Sequence, residues 1–544
     1  MRAAAVPTTQ TTALPLTPSY GWALSQAATT TIFIVAVMAL AFGVRAAGLS
    51  TSGFSEDEIN KVRAIEAYRQ GSLSANAEHP MLMKLAMLTS VEAASAWNRV
   101  APTGSSVAIE TAIRLPNALV GAATTAAIFG ATQVLFGTPA AMMAALFWAV
   151  DVNAIGINRI GKEDTFALFF FLLAVWCYER AKQEGARDPA GAQRWYGASG
   201  ASFGLMLASK YFPQYLGIYA FFNHVTDRTP GANRPDPLRY YGLMVATFVI
   251  ANVAVLDPST WRYCLNYVRG GTVVHHGYAF AGHLYANSSL LSAGGVPITF
   301  YLRMLATKVP MIVLGAMVPG LIEMVRRRRE RGFVLLTLWL GLFLVGYSLF
   351  SVKFLRYALP LFAGVDIIAA VGVVAGIGWL LRKSWLSPIS RVTVAAMTLT
   401  VCVTGPFLAQ QSATPFPSLF RNAIGERIAP AGAIFPEETY DYGVREAVEA
   451  VARVAGPDAA ILSDAPAVVA YYLAHSGRTD LRVRSLSADG LPQDHPSTFV
   501  IVQTEHLTFE NRDLVSYLEQ HFTPALQFYE GDVRAAQVFH LPRS

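Results

Sequence analysis

The chain has 544 residues, of which 53% are hydrophobic and only 14% charged; soluble domains carry about 25% charge. That balance excludes an ordinary soluble enzyme, and a net charge of +6 on so apolar a chain is an orientation signal rather than a nucleic-acid one. Cys177, Cys264 and Cys402 stand too far apart to suggest a disulfide framework or a metal site.

Residues 1–28, rich in Thr, Ala and Pro, read as a disordered N-terminus on the cytoplasmic side. Apolar runs of bilayer length then recur. The expected spans are 29–48, 112–135, 138–157, 165–181, 195–209, 211–225, 239–256, 299–323, 332–350, 357–381 and 391–411, about eleven helices. The first is too long, and lacks the basic flank and small-residue cleavage site, to be a cleavable signal peptide. The basic run Arg326–Arg331 and the clusters at 180–194, 228–239 and 382–391 fall on one side, which the positive-inside rule makes cytoplasmic. Arg45 follows the first span and nearly balances Arg2, so neither decides the orientation.

The expected fold class is therefore a polytopic α-helical membrane protein with a transmembrane domain over 29–411. Loops 49–111, 158–164 and 257–298 face the outside of the cytoplasmic (inner) membrane. Gln410 to Pro417 reads as a linker. Residues 412–544 then read as a small extracytoplasmic α/β domain, with helices at 442–454 and 511–521 and strands at 459–462, 498–502 and 536–540. It carries no nucleophile or metal cluster, so its expected role is selection of an acceptor or partner.

Two acidic pairs sit at the outer ends of spans, Asp57–Glu58 in Ser55-Glu-Asp-Glu and Glu163–Asp164 in Arg159-Ile-Gly-Lys-Glu-Asp-Thr-Phe. Carboxylates held next to lipid are expensive and are generally kept for function. Asp57 or Glu58 is a candidate general base for a hydroxyl acceptor. Lys84, Arg114, Lys210, Lys353 and Arg356 lie near outer helix ends, where a lipid-linked phosphate would sit and its leaving charge be stabilised. One base and one phosphate cradle suffice for a single displacement from a polyprenyl-phosphate sugar. The bland readings are an interfacial anchor for Asp57–Glu58, a salt-bridged turn for Glu163–Asp164 beside Arg159 and Lys162, and snorkelling for each lone Lys or Arg.

Six motifs in order carry a family resemblance. They are Ser55-Glu-Asp-Glu, Glu78-His-Pro-Met-Leu-Met-Lys, Ala112-Ile-Arg-Leu-Pro-Asn, Arg159-Ile-Gly-Lys-Glu-Asp-Thr-Phe, Val273-Val-His-His-Gly-Tyr-Ala-Phe-Ala-Gly-His and Ser351-Val-Lys-Phe-Leu-Arg-Tyr-Ala-Leu-Pro. Over roughly 30–380 the chain resembles the protein O-mannosyltransferases and their bacterial relatives, the aminoarabinose transferases that modify lipid A. The resemblance implies a glycosyltransferase of the C-type superfamily, with a polyprenyl-phosphate sugar donor and a non-cytoplasmic active site. It implies that Asp57 is the catalytic base, with Glu58 its neighbour. It implies that Glu163–Asp164 shape the acceptor or donor site, and that Arg114 is the arginine of the second span. His79-Pro80 and Lys84 fall on its amphipathic segment along the membrane. The large lumenal insertion of the eukaryotic enzymes has no counterpart between 257 and 298, so the acceptor stays open between a protein, a lipid and a glycan.

His275, His276 and His283 are assigned to substrate contact rather than to a metal, because adjacent histidines rarely aim at one ion and no carboxylate stands beside them in sequence. No cofactor is called for, and a divalent metal is the lesser reading. The competing function is a transporter or flippase for a charged lipid or solute. That class places charge at mid-span on broken helices, whereas here the charges stand at outer span ends.

Overall fold

The structure, a computed structural model, describes residues 20–226, 234–269, 274–288, 295–351, 353–384, 387–430, 432–491 and 497–542. Residues 1–19 and part of the basic cluster at 228–239 lie outside the described residues, as do the side chains of His275 and His276. Each expected span is matched by helix. Among the described residues five helices are long and apolar enough to cross a membrane, or seven if each of two bent pairs is one span. The remaining expected spans correspond to shorter or more polar helices, among them Asp164–Glu184, Pro189–Ser209, Pro213–Thr226 and Pro237–Ala251. The first helix begins at Tyr20, inside the segment expected to be irregular.

The two breaks correct the expectation of continuous spans at 138–157 and 299–323. Thr138–Val150 and Val152–Asn158 meet at 58°. Asp151 is extended there, and its carboxylate accepts from the backbone N–H of Asn153 (2.8 Å) and Ala154 (3.3 Å), which restarts the helix as an N-cap does. Phe300–Lys308 and Met311–Arg326 meet at 116°. Pro310 has no N–H to continue the ladder and disfavours a helical residue before it. The carbonyls freed at this break are all taken: Lys308 O accepts from Asn153 Nδ2 (2.9 Å), and Ala306 O and Val309 O accept from Asn422 Nδ2 (2.8 and 2.7 Å).

Arg45 is fully buried, not a solvated orientation charge. Its guanidinium donates to the carbonyls of Ala41, Trp148 and Ala149 and to Asn158 Oδ1. It thereby ties the first helix to the break at Asp151. Asp366, in the helix Leu359–Leu381, is buried near Asp151, and its Oδ2 has no hydrogen-bond partner among the described residues. The opposite end collects basic segments, where Arg331 and Lys182 both meet Glu179.

Loop 257–298 contains the helix Pro258–Arg269 and a hairpin of β1 (Val274–Phe280) and β2 (His283–Ser288). After the last long helix, Pro388–Ser412, the expected linker is pinned rather than free: Lys308 Nζ holds the carbonyls of Ser418 (2.6 Å) and Phe420 (3.1 Å) and pairs with Glu438 at 3.0 Å.

The rest of the chain forms one five-stranded sheet. Its strands are β3 (Ala460–Ser463), β4 (Arg482–Arg484), β5 (Ser497–Gln503), β6 (Leu526–Glu530) and β7 (Val533–Pro542), in the order β4-β3-β5-β7-β6. β3 runs parallel to β4 and β5, while β7 is antiparallel to β5 and β6. Helices Val444–Val454 and Arg512–His521 and strands β3, β5 and β7 stand where the sequence places them. The helix Pro466–His475 and strands β4 and β6 were not expected.

This sheet unit packs on the segment between the first two long helices, residues 49–111. Phe54, Ile59, Met83 and Ile113 share a buried apolar cluster with Val444, Val448, Val451, Val468 and Tyr472. Tyr472 Oη accepts from Phe54 N (2.7 Å) and donates to Glu110 (3.0 Å). Burial of this kind is worth roughly 1.5–3 kcal/mol per large apolar side chain, so the loop carrying the first acidic motif is firmly held.

Candidate active site

Ser55 opens the helix Glu56–Arg69 with a capping box. Its hydroxyl accepts from Glu58 N, and Glu58 Oε2 accepts from Ser55 N (3.0 Å). This reciprocal cap fixes the directions of the two acids. Glu58 points inward and is fully buried. Arg114 grips it through two bonds, Nε–Oε1 at 2.8 Å and Nη2–Oε2 at 2.7 Å, and Gly161 N donates to Oε1 (2.9 Å). Arg114 directs its other N–H groups to the carbonyls of Leu49, Ser52 and Gly53. Burial raises the Glu58 pKa, but Arg114 and the N–H donors outweigh it and hold the carboxyl low. With every group occupied, Glu58 and Arg114 are suited to fastening the loop; neither is free for substrate.

Asp57 points the other way. Its side chain is 39% exposed, against 0% for Glu58, 2% for Glu163 and 3% for Asp164. It pairs with Lys162 and lies 3.7 Å from Arg356 Nη2. Desolvation raises its pKa, yet Lys162, Arg356 and Lys61 together hold it well below the carboxylate range. Burial, with Arg356 adding to it and Asp57 opposing, pushes the Lys162 amine down to about 8.

The second acidic motif is divided between two lysines. Glu163 pairs with Lys61 at 3.0 Å and lies 3.7 Å from His79 Nδ1. Asp164 pairs with Lys210 at 2.6 Å. Lys210 stands over the rings of Phe212 (4.2 Å) and Tyr357 (4.6 Å), and Arg356 over Phe354 (4.1 Å) and Tyr357 (5.4 Å). Tyr357 thus separates the two cations and links the acidic motifs into one wall. Burial first, then Lys61, Lys162 and Lys210, keeps the His79 imidazole neutral against the pull of Glu163. The reading of Glu163–Asp164 as a salt-bridged turn with Arg159 is overturned: Arg159 instead donates to Gly48 O (2.8 Å).

Lys84 lies behind this wall, within electrostatic reach of Lys61 and Glu163, and Lys353 stands away from its charged groups. Lys84 donates to the carbonyls of Asn76 (2.7 Å) and His79 (2.9 Å), and burial pushes its pKa down to about 7. Lys353 is fully buried and donates to Val296 O (3.0 Å) and to Phe350 O. Both amines are engaged by backbone carbonyls. His283 is exposed at the hairpin, 6.3 Å from Tyr285, ring to ring.

Three residues that sequence reasoning missed come from 437–441. Glu437 Oε1 lies 3.4 Å from Arg356, while its Oε2 accepts from Tyr278 Oη (2.5 Å) and Leu355 N (3.1 Å). Asp441 accepts from Glu56 N (2.7 Å) and pairs with His506 (2.7 Å). Asp441 and Glu505 overcome burial to hold the His506 pKa well above its usual value. Tyr440 lies between them, buried. The segment after the last long helix therefore meets the acidic wall at Glu56 and Arg356. The one available signal was an acidic and aromatic cluster, Pro436-Glu-Glu-Thr-Tyr-Asp-Tyr, a short way beyond the last long helix, which ends at Ser412.

Asp441, Glu505 and His506 form the one group with metal-ligand geometry among the described residues, their ligand atoms within 4.8 Å of one another. They satisfy one another as an imidazolium–carboxylate cluster. At the acidic motifs each carboxylate already has a cationic partner, so that donor set does not fit a divalent ion.

Residues 106–255 match the family model described as dolichyl-phosphate-mannose-protein mannosyltransferase. No curated protein matches the sequence. Among solved structures, ArnT from Cupriavidus metallidurans bound to undecaprenyl phosphate is similar over 96% of this chain and 98% of its own, with 13% identity and a TM-score of 0.52. Its apo state is similar over 95% and 98%, with 14% identity and a TM-score of 0.51. The Archaeoglobus fulgidus oligosaccharyltransferase, tethered to an acceptor peptide with the NVT sequon, is 11% identical. It covers 95% of this chain and 74% of that one, with a TM-score of 0.50. At such identities the structures establish a shared helical fold, and the family model and that fold together bear out the resemblance to the polyprenyl-phosphate-dependent, C-type glycosyltransferases.

Proposed function

We propose that the protein is an integral-membrane glycosyltransferase that moves a sugar from a polyprenyl-phosphate donor to a hydroxyl group on the outer face of the cytoplasmic membrane. The acceptor hydroxyl attacks the anomeric carbon, and its proton passes to the Asp57 carboxylate. The bond from that carbon to the phosphate oxygen breaks, and the electron pair leaves with the polyprenyl phosphate. One displacement inverts the anomeric centre. Lys162 and Arg356 receive the phosphate. The acceptor is a protein, lipid or glycan hydroxyl, and 412–544 forms an extracytoplasmic unit closing one side of the site.

The observation that carries this reading is that Asp57 alone among the four motif acids is open to solvent, between two cations. Those cations make it a poor base in the empty site. A phosphate that draws Lys162 and Arg356 away would restore its basicity once the donor is seated. Asp57→Asn keeps the shape and removes the proton acceptor; transfer should fall on the order of 10²–10⁴-fold with an unchanged unfolding midpoint. Retention of most activity would move the base elsewhere.

One observation favours the transporter reading: two broken helices meet buried Arg45, Asp151 and Asp366, the arrangement expected of a mid-membrane path. It is weaker because Arg45 serves backbone carbonyls and Asn158. Flux of a charged lipid across proteoliposomes without any glycosyl transfer would establish it.

A further inference from the structure

Tyr440 is a bulky residue in a conformation that suits glycine, φ +42°, and Asp441 follows at φ +55°. Left-handed non-glycine residues cost about 1–3 kcal/mol each and persist only where their surroundings hold them. Here Asp441 is held by Glu56 N and His506, and Glu437 by Tyr278, Leu355 N and Arg356. The first outer loop and the hairpin thus clamp this segment from both sides.

The clamp presents a buried phenol with nothing to bond. Tyr440 is 7% exposed, and its Oη has no hydrogen-bond partner among the described residues. A buried hydroxyl without a partner is costly unless a ligand completes it. The charged groups in electrostatic reach of it are Glu437, Arg356, Asp164 and Glu505. Arg356, the only cation of these, is weakly bonded: it makes one long hydrogen bond to Glu437 (3.4 Å) and stands 3.7 Å from Asp57, both longer than the usual range. Two neighbouring donors left wanting call for an acceptor-rich group, and an anionic phosphate oxygen satisfies both.

We infer that Tyr440, supplied by the segment after the last span, donates a hydrogen bond to the phosphate of the lipid donor beside Arg356. The inference rests on the glycosyltransferase reading above and adds the C-terminal segment to the phosphate site. It also makes donor binding sensitive to that segment's clamp.

The test is binding of undecaprenyl phosphate to the full chain in nanodiscs, with undecaprenol as the uncharged control. Tyr440→Phe should weaken undecaprenyl phosphate roughly tenfold or more, the range for a hydrogen bond to a charged group. Undecaprenol binding and the unfolding midpoint should not move, which a packing role would not predict. If the wild type prefers the phosphate, Arg356→Ala loses that preference and Tyr440→Phe keeps it, the inference is overturned while the donor reading stands. If the wild type itself shows no preference for the phosphate, the donor reading fails and takes the inference with it. Should Tyr440→Phe fold poorly, 3-fluorotyrosine at 440 gives the same answer. Its ¹⁹F resonance should shift with undecaprenyl phosphate and not with undecaprenol, and no shift overturns the contact.

Discussion

Two buried charge clusters in this molecule are built from the same residue types and behave differently. At the acidic wall each carboxylate has its own lysine or arginine, and one acid, Asp57, is left open. In the middle of the bundle Arg45 serves backbone carbonyls at a helix break, while Asp366 keeps an unpartnered oxygen. The first arrangement leaves a group that can exchange partners when a ligand arrives. The second is closed, and its arginine repairs the backbone. Ion pairing alone does not mark a reactive site; pairing that leaves one group accessible does.

The largest effect that would break this contrast is at Asp57. Loss of transfer by 10²–10⁴-fold in Asp57→Asn without loss of stability is expected of the open cluster only. Arg45→Met should act the opposite way. It orphans buried carbonyls at about 1–3 kcal/mol apiece, so thermal unfolding should show a lowered midpoint, while activity per folded molecule stays near wild type. An unstable Asp57→Asn or an inactive but stable Arg45→Met would reverse the two assignments.

A pH profile sharpens the comparison. Asp57 is held well below the carboxylate range, so its charge is lost only as pH falls far into acid. Lys162 is pushed down to about 8, so its charge, and with it the phosphate binding proposed for it, is lost as pH rises through that value. kcat/KM should therefore be level from mildly acidic to neutral pH and decline through about pH 8. A decline between pH 4 and 6 would mean that the cations do not control Asp57. The smallest effect is expected at Asp366. A carboxyl buried without a charge partner gives up its charge rather than hold it there, so Asp366→Asn, an uncharged group of the same shape, should leave both transfer and the unfolding midpoint close to wild type.

The acidic motifs were legible in the sequence because a carboxylate at the end of an apolar run has few structural reasons to be there. Their division of labour was not. Asp57 and Glu58 are adjacent, and only the capping box at Ser55 decides which of them turns inward. Lys84 and Lys353 stand at suitable places in the chain, yet backbone carbonyls claim them, and no local pattern announces that. Pro310 was a visible reason for a break in the eighth expected span, and Asp151 for one in the third. Both were overridden by the apolar length around them. Glu437, Tyr440 and Asp441 stood in a visible acidic and aromatic cluster, but no local pattern could say what it met, since the Glu56–Asp441 bond joins residues 385 apart.

That long-range bond has a consequence for biogenesis. The helix that carries Asp57 is synthesised early, whereas the residue that braces its start follows 385 positions later. Until 437–441 docks, the helix beginning at Glu56 lacks its Asp441 partner and Arg356 lacks Glu437. A chain made only as far as the last long helix therefore holds Asp57 on an unbraced helix, beside an Arg356 that lacks Glu437, and the surroundings of this carboxylate are complete only once 437–441 has docked.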